Sequence, residues 1–169
     1  MILSHKDIEK LIKERNLIED YVDLKAQLQP AGFDFTLSKV FEIENFGKLD
    51  FTNEERSIPE KKELKFDEGW LKLSKGSYLV MFNEVVNIPE DVVMVVKPRS
   101  SLVRMGATLH TALWDPGYSG RSICLLTVFN DNGILLKKNA RIAQGIFLKV
   151  LTTPEKLYDG IFKNENVEE

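Results

Sequence analysis

The chain has 169 residues, 43% of them hydrophobic and 29% charged, which is the balance of one globular domain with a real core rather than of a disordered chain. Its 26 acidic and 23 basic residues leave a formal net charge of -3, so no global field draws it to nucleic acid or to an anionic membrane. One cysteine, Cys124, excludes an intrachain disulfide, and two distant histidines, His5 and His110, leave a zinc site short of ligands.

The opening MILSHKDIEK lacks the basic region and long apolar stretch of an export signal. No segment approaches the roughly eighteen consecutive apolar residues of a membrane span, so the cytoplasm is the expected compartment. Ser4 and Asp7 have the spacing of a capping box, and Ile8, Leu11 and Ile12 follow at helical spacing, which predicts a short amphipathic helix over 5–15. Residues 23–29 are ambiguous. From Pro30 onward turn signals become regular, and 33–43 (FDFTLSKVFEI) reads as strand. The polar stretch 47–63 reads as an exposed excursion or twisted hairpin. Val-, Leu-, Phe- and Tyr-rich runs at 70–89 and 92–98 are bounded by Gly, Asn and Pro, and further strands are expected at 122–130, 134–138 and 142–151. Trp70 and the phenylalanines are assigned to the core, and Cys124, inside an apolar run, reads as a buried inert thiol. Many short strands after one helix predict a mainly β sandwich, barrel or roll, and no helical pattern separates the central strands as a parallel fold would require. The chain reads as a single domain over 1–169, with 155–169 a C-terminal tail expected to be free to move.

Four clusters carry candidate chemistry. In Gln29-Pro30-Ala31-Gly32-Phe33-Asp34-Phe35, Asp34 stands where a turn passes into a strand, and on these residues alone a turn capped by its own aspartate is the favoured reading. Lys97-Pro98-Arg99-Ser100-Ser101-Leu102-Val103-Arg104 follows the apolar run VVMVV. Its guanidinium forks and hydroxyls suit an oxyanion, though a solvated basic turn has the same composition. Trp114-Asp115-Pro116-Gly117-Tyr118-Ser119-Gly120 is a tight turn with a carboxylate able to orient water and an aromatic able to pack on a sugar or base. A hairpin with a capping Asp115 and a packing Tyr118 reads the same way. Arg141-Ile142-Ala143-Gln144 opens a strand and is uninformative alone. No P-loop, dinucleotide-binding glycine motif or nucleophile elbow is present.

In this order, PAGFDFTL, PRSSLVRMG, DPGYSG and RIAQGIF resemble the motifs of the dUTPase and dCTP deaminase superfamily, and MILSHKDIEKLI is similar to the opening of its deaminase-like branch. The Trp before Asp-Pro-Gly-Tyr resembles the archaeal dUTPase version. The resemblance covers almost the whole chain. It implies a dUTPase-like β-roll (β-clip) with a short N-terminal helix, assembled as a homotrimer with nucleotide sites between subunits, and Mg²⁺ on the triphosphate. It further implies hydrolysis of dUTP to dUMP and pyrophosphate, which lowers dUTP and supplies dUMP for dTMP synthesis. Asp115 matches the acid that orients the attacking water and Tyr118 the aromatic against the deoxyribose. Backbone groups around His110, Thr111, Ala112 and Leu113 match the uracil-reading hairpin. Arg99, Ser100, Ser101, Arg104 and Gln144 match phosphate-contacting positions, and Asp34 a water-mediated magnesium contact. The tail KLYDGIFKNENVEE departs from the glycine-rich arm of standard trimeric dUTPases and looks more like the deaminase tail, with Tyr158 at its nucleotide-contacting tyrosine. A deaminase would need a glutamate in the strand after DPGYSG, where this chain has Leu125 or Thr127 and no acid between Asp115 and Asp131. Deamination of dCTP, alone or with dUTP hydrolysis, and a non-catalytic nucleotide-binding module are the alternatives.

Overall fold

A computed structural model describes residues 1–168. The capping box forms as its residues dictate. Ser4 Oγ accepts the Asp7 N–H, the Asp7 carboxylate accepts the Ser4 N–H, and helix α1 (His5–Arg15) ends at Asn16 in the left-handed conformation. Ile8 and Ile12 face the core. After the short strand β1 (Ile18–Glu19), the ambiguous 23–29 segment resolves into a single helical turn α2 (Leu24–Gln27), capped by Asp23, and the two-residue β2 (Leu28–Gln29). The long β3 (Gly32–Ile43) leads to an exposed excursion closed by a Lys48–Ser57 bridge, after which β4 (Lys61–Leu64) returns along β3.

The apolar run after residue 70 is not one strand but three, β5 (Trp70–Leu73), β6 (Gly76–Phe82) and β7 (Val85–Asn87), broken at Ser74-Lys75 and Asn83-Glu84. Then follow β8 (Val92–Pro98), the short helix α3 (Ser100–Arg104), β9 (Ala107–His110), β10 (Ser119–Gly120), β11 (Ile123–Val128), β12 (Ile134–Lys137) and β13 (Arg141–Lys149). The main sheet has the order β8-β13-β3-β6-β11-β9, with β2 and β4 also paired to β3, and all its pairings are antiparallel. Its two end strands, β8 and β9, are consecutive in the chain and joined only by α3 and its flanks, so the sheet curls nearly closed. Two smaller sheets, β1-β7-β10 and β12-β5, pack beside it. Among the described residues no helix is long and apolar enough to cross a membrane.

Phe33, Phe35, Phe82 and Phe147 are fully buried, and the Phe33–Phe35 and Phe35–Phe82 rings pack at 5.8 and 5.2 Å. Cys124 is also buried, and burial pushes its thiol up to about 12, so it is inert. Other aromatics depart from the core assignment. Trp70 is 43% exposed because β5 belongs to a two-stranded sheet with one wet face, where Lys137 lies over its ring. Phe46 and Phe51 project from the excursion into solvent, and Phe129 and Phe162 are exposed as well.

β13 passes between β3 and β8 so closely that a Cβ on Gly145 would meet Phe35 Cε2 at 2.6 Å and Met94 Sδ at 2.9 Å. Gly145→Ala should therefore destabilise the fold by about 1–3 kcal/mol through overpacking, read as a lowered urea midpoint. An unchanged midpoint would show that the ring and the thioether can yield freely.

Candidate active site

β3 is buried on both faces at its start. Phe33, Phe35 and Leu37 point to the apolar core, so Asp34 and Thr36 point to the other side, where each is also 1% exposed. Polar groups buried to that degree need partners, and both have them. Asp34 Oδ2 lies 3.0 Å from Arg99 Nε and 3.3 Å from Arg141 Nη1. Register explains the meeting: Asp34 pairs with Gln144 in β13, and Gln144 pairs with Lys97 in β8, just before Arg99. Arg99 N donates to Ile142 O at 2.9 Å, and Arg141 Nη1 also donates to Ala26 O at 2.6 Å. Burial pushes the Asp34 carboxyl up from the ordinary aspartate value, while Arg99 and then Arg141 oppose the rise.

Arg99 is the N-cap of α3, whose first turn no side chain caps. Ser100 and Ser101 are exposed there, with Arg104 in the last turn. The place thus gathers Lys97, Arg99, Arg104 and Arg141 around one buried acid, a local positive charge on a chain of net -3. This donor set suits an anion. It does not fit a magnesium ion held through Asp34, because that carboxylate is 2% exposed between two guanidiniums. Among the described residues no group of three His, Cys, Asp or Glu is placed to hold a metal.

Behind Asp34 lies a second buried acid. Glu84, with no exposure, accepts from Thr36 N (3.0 Å), Thr36 Oγ1 (2.5 Å) and Gln27 Nε2 (2.6 Å), and Gln27 Nε2 also donates to Asp34 O at 2.8 Å. The 23–29 segment is thereby tied to β3.

Asp115 stands elsewhere. Trp114 exchanges backbone hydrogen bonds with Met94 at the start of β8, and residues 115–118 form a turn in which Tyr118 N donates to Asp115 O at 3.1 Å. Pro116 and Gly117 (φ 87°) suit its two central positions. Asp115 is exposed on the rim of a cavity of about 670 Å³, with Tyr118, Ser122, Tyr158 and Glu165 in the walls, together with Ala112 and Leu113. His110 ends β9 opposite Leu125, and Thr111 begins the unpaired stretch that leads to Trp114. Tyr118 is only 6% exposed, and its hydroxyl lies 3.0 Å from Ser122 Oγ and donates to Glu165 Oε1 at 2.9 Å. Burial pushes the carboxyl of Glu165 up, against the hydrogen bond from Tyr118 and the charge of Lys61. The Tyr158 ring meets Tyr118 edge-on at 5.6 Å, and its N–H donates to Pro116 O at 2.8 Å.

The two clusters do not meet within one chain. Met94 and Arg99 are five strand residues apart, roughly 17 Å at the usual rise, and the antiparallel Met94–Trp114 bridge sends Asp115 farther from Arg99. The structure therefore joins Asp34, Arg99 and Gln144, with Ser100, Ser101 and Arg104 on the adjoining helix. Separately, it joins Asp115, Tyr118, Ala112 and Tyr158. Sequence reasoning placed Arg141 in the fourth cluster without giving it a role, and missed Glu84, Ser122 and Glu165 altogether. The position of Arg141 beside Gln144 was a signal, but the other three are recognisable only by what they touch.

Residues 2–150 match a family described as dCTP deaminase-like. A probable deoxyuridine 5'-triphosphate nucleotidohydrolase of Methanosarcina acetivorans is 48% identical over 98% of both chains, and one of Archaeoglobus fulgidus is 46% identical over 99% of this chain and 98% of its own. A deoxyuridine 5'-triphosphate nucleotidohydrolase of Methanocaldococcus jannaschii is 43% identical over 81% of this chain and 87% of its own. The crystal structure of 2'-deoxycytidine 5'-triphosphate deaminase from Agrobacterium tumefaciens shares the fold, with a TM-score of 0.65 at 22% identity. The likeness covers 86% of this chain and 47%, about half, of that one.

Because burial raises the Glu84 carboxyl above its ordinary value, the folded chain keeps a proton there at pH values where the unfolded chain has lost it. Its contribution to stability is complete below the ordinary glutamate range and lost as pH rises through the raised value. Wild type should therefore gain stability over Glu84→Gln as pH falls from neutral into mildly acid solution, read from urea midpoints of both proteins. Parallel pH profiles would refute the assignment.

Proposed function

The chain belongs to the dCTP deaminase-like family, and from that premise we propose that it hydrolyses dUTP to dUMP and pyrophosphate. The archaeal relatives carry that activity in their names, at identities that span the full chain. The observation that carries the reading is the composition of the Asp115 cavity and of the strand beside it. The cavity lining holds two exposed acids, Glu60 and Asp115, of which Asp115 shares its turn with the buried Tyr118, while the outward positions of β11 are Ile123, Leu125 and Thr127. Neither Leu125 nor Thr127 can relay the proton that attack on a cytosine ring requires, whereas water attack on phosphorus asks for a single oriented carboxylate. This favours the hydrolase over the deaminase.

In this reading Asp115 holds a water in line with the α-phosphorus and takes its proton as the new P–O bond forms. The bond to the α–β bridging oxygen breaks, and pyrophosphate leaves. Tyr118 presents its ring to the deoxyribose, and its fixed position leaves no room for a 2′-hydroxyl. Backbone groups of His110, Thr111 and Ala112 read the uracil edge, and Tyr158 flanks the nucleotide. Arg99, Ser100, Ser101, Arg104 and Gln144 take the phosphates, so catalysis is positioning plus charge neutralisation. Magnesium would come with the substrate and add to the charge neutralisation of the triphosphate, since the residues around Asp34 are suited to anions. The separation along β8 supports sites completed by a neighbouring copy, and the family resemblance favours a homotrimer as that assembly. A cytoplasmic setting agrees with the single buried thiol.

Incubation with Mg²⁺ and dUTP, dCTP or UTP, with pyrophosphate and ammonia assayed separately, tests the reaction. Pyrophosphate from dUTP is expected, with turnover lowered about 10²–10⁴-fold in Asp115→Asn while nucleotide binding persists. Ammonia from dCTP would install the deaminase, and no product would install a binding module. The shared site has its own test. Asp115→Asn and Arg99→Ala subunits, each inactive, should regain roughly a quarter of wild-type activity when refolded together in equal amounts, since that fraction of sites draws an intact half from each. No recovery would place the whole site in one subunit.

A further inference from the structure

The segment 157–166 runs alongside the Asp115 turn of its own chain. Tyr158 N donates to Pro116 O (2.8 Å), Asn164 N to Ser119 O (2.7 Å) and Arg121 N to Glu165 O (2.9 Å), and Gly120 and Glu165 form a parallel bridge. Arg121, 7% exposed, adds a bond from Nη1 to Asn166 O at 2.9 Å, and Asn166 Nδ2 answers to Arg121 O at 2.9 Å. Both glycines of Asp-Pro-Gly-Tyr-Ser-Gly are shaped to this segment. A Cβ on Gly117 would stand 2.7 Å from Leu157 Cβ, and one on Gly120 would stand 2.9 Å from the Tyr118 hydroxyl and 3.1 Å from Glu165 N.

The contact ends in a directed chain of hydrogen bonds. Trp114 Nε1, which can only donate, gives its proton to Ser122 Oγ at 2.5 Å. The Tyr118 hydroxyl proton goes to Glu165 Oε1, so Ser122 must donate its own proton to Tyr118. The two aromatic residues that flank Asp115 are thus joined through Ser122, and a carboxylate from the C-terminal segment terminates the line.

We propose that Glu165 is a positioning residue that locks the ring of Tyr118, and with it the turn carrying Asp115, so that selection of deoxyribose depends on the C-terminal segment of the same chain. The inference rests on the assignment of Tyr118 to the sugar made above. Glu165 touches neither the sugar nor the phosphates in this reading. It acts by holding the ring where a 2′-hydroxyl would collide.

Amide exchange over residues 115–121 and the kcat/KM ratio of dUTP to UTP should be measured for wild type, Glu165→Ala, Glu165→Gln, Tyr118→Phe and the Tyr118→Phe/Glu165→Ala pair, with thermal midpoints to confirm folding. In Glu165→Ala, exchange in that segment should quicken and the dUTP preference fall about tenfold, the scale of one lost hydrogen bond. Glu165→Gln, whose amide oxygen can still accept from Tyr118, should stay close to wild type. The Ala substitution should add nothing once the Tyr118 hydroxyl is gone. Gly120→Ala, whose Cβ would press on both the Tyr118 hydroxyl (2.9 Å) and Glu165 N (3.1 Å), should also quicken exchange over 115–121 and lower the preference. Wild-type exchange in Glu165→Ala, or an equal loss of preference in the Tyr118→Phe background, overturns the proposal. If wild type does not prefer dUTP to UTP, the sugar role of Tyr118 falls, while the exchange rates still judge the hold of Glu165 on the turn.

Discussion

The carboxylate of Asp34, shut inside the sheet between Arg99 and Arg141, is the contact on which both the register of the strands and the character of the site depend. It lies on β3, and its partners come from the end of β8 and the start of β13, so the ion pairs form only when all three strands are in register. A slip of one residue would turn Asp34 into the Phe33–Phe35 core and leave a charge there without a partner. The same constraint holds Arg99 at the mouth of α3 and keeps the Arg141 guanidinium near the surface. The acid thus organises a positive place without cancelling it, since the four cations Lys97, Arg99, Arg104 and Arg141 outnumber it. This resolves the tension between an acidic chain and an anionic ligand: screening acts over about 8–10 Å, so local composition decides, and net charge does not.

The second constraint is the length of β8. The strand meets Trp114 at one end and carries Arg99 beyond the other, so its straight run separates Asp115, the acid proposed to orient water, from the donors proposed to hold phosphate. A sheet that curls nearly closed cannot fold these ends together. Assembly would bring them within reach of one nucleotide, and the proposed oligomer would then follow from strand geometry. The tail obeys a related logic. It carries exposed Leu157, Ile161 and Phe162 and has no regular structure of its own, so its order comes from hydrogen bonds to the Asp115 turn and from the space that two glycines leave open.

Much of this was legible in the order of residues. Period-two alternation and regular turn signals announced a mainly β domain, Ser4 and Asp7 announced α1, and Pro116-Gly117 announced a tight turn beside Asp115, because these are local preferences that the chain carries wherever it goes. The four clusters and their order were visible for the same reason. The break of the 70–89 run into three strands was not, since apolar residues continue across Asn83 and Glu84 and only pairing with different neighbours ends each strand. Trp70 read as core because hydrophobicity is a property of the residue, whereas exposure is a property of the sheet it joins.

By itself, then, the sequence determined the fold class, the helix cap, the turn and the kinds of side chain available for chemistry, all of which follow from short-range sterics and patterning. Tertiary structure alone decided which of those side chains meet. It paired Asp34 with two arginines from distant strands, set Asp115 apart from Arg99, and laid Glu165 against Tyr118 across 47 residues of sequence. Burial and hydrogen bonding depend on distances in space, and those distances exist only once the sheet has curled and the tail has docked.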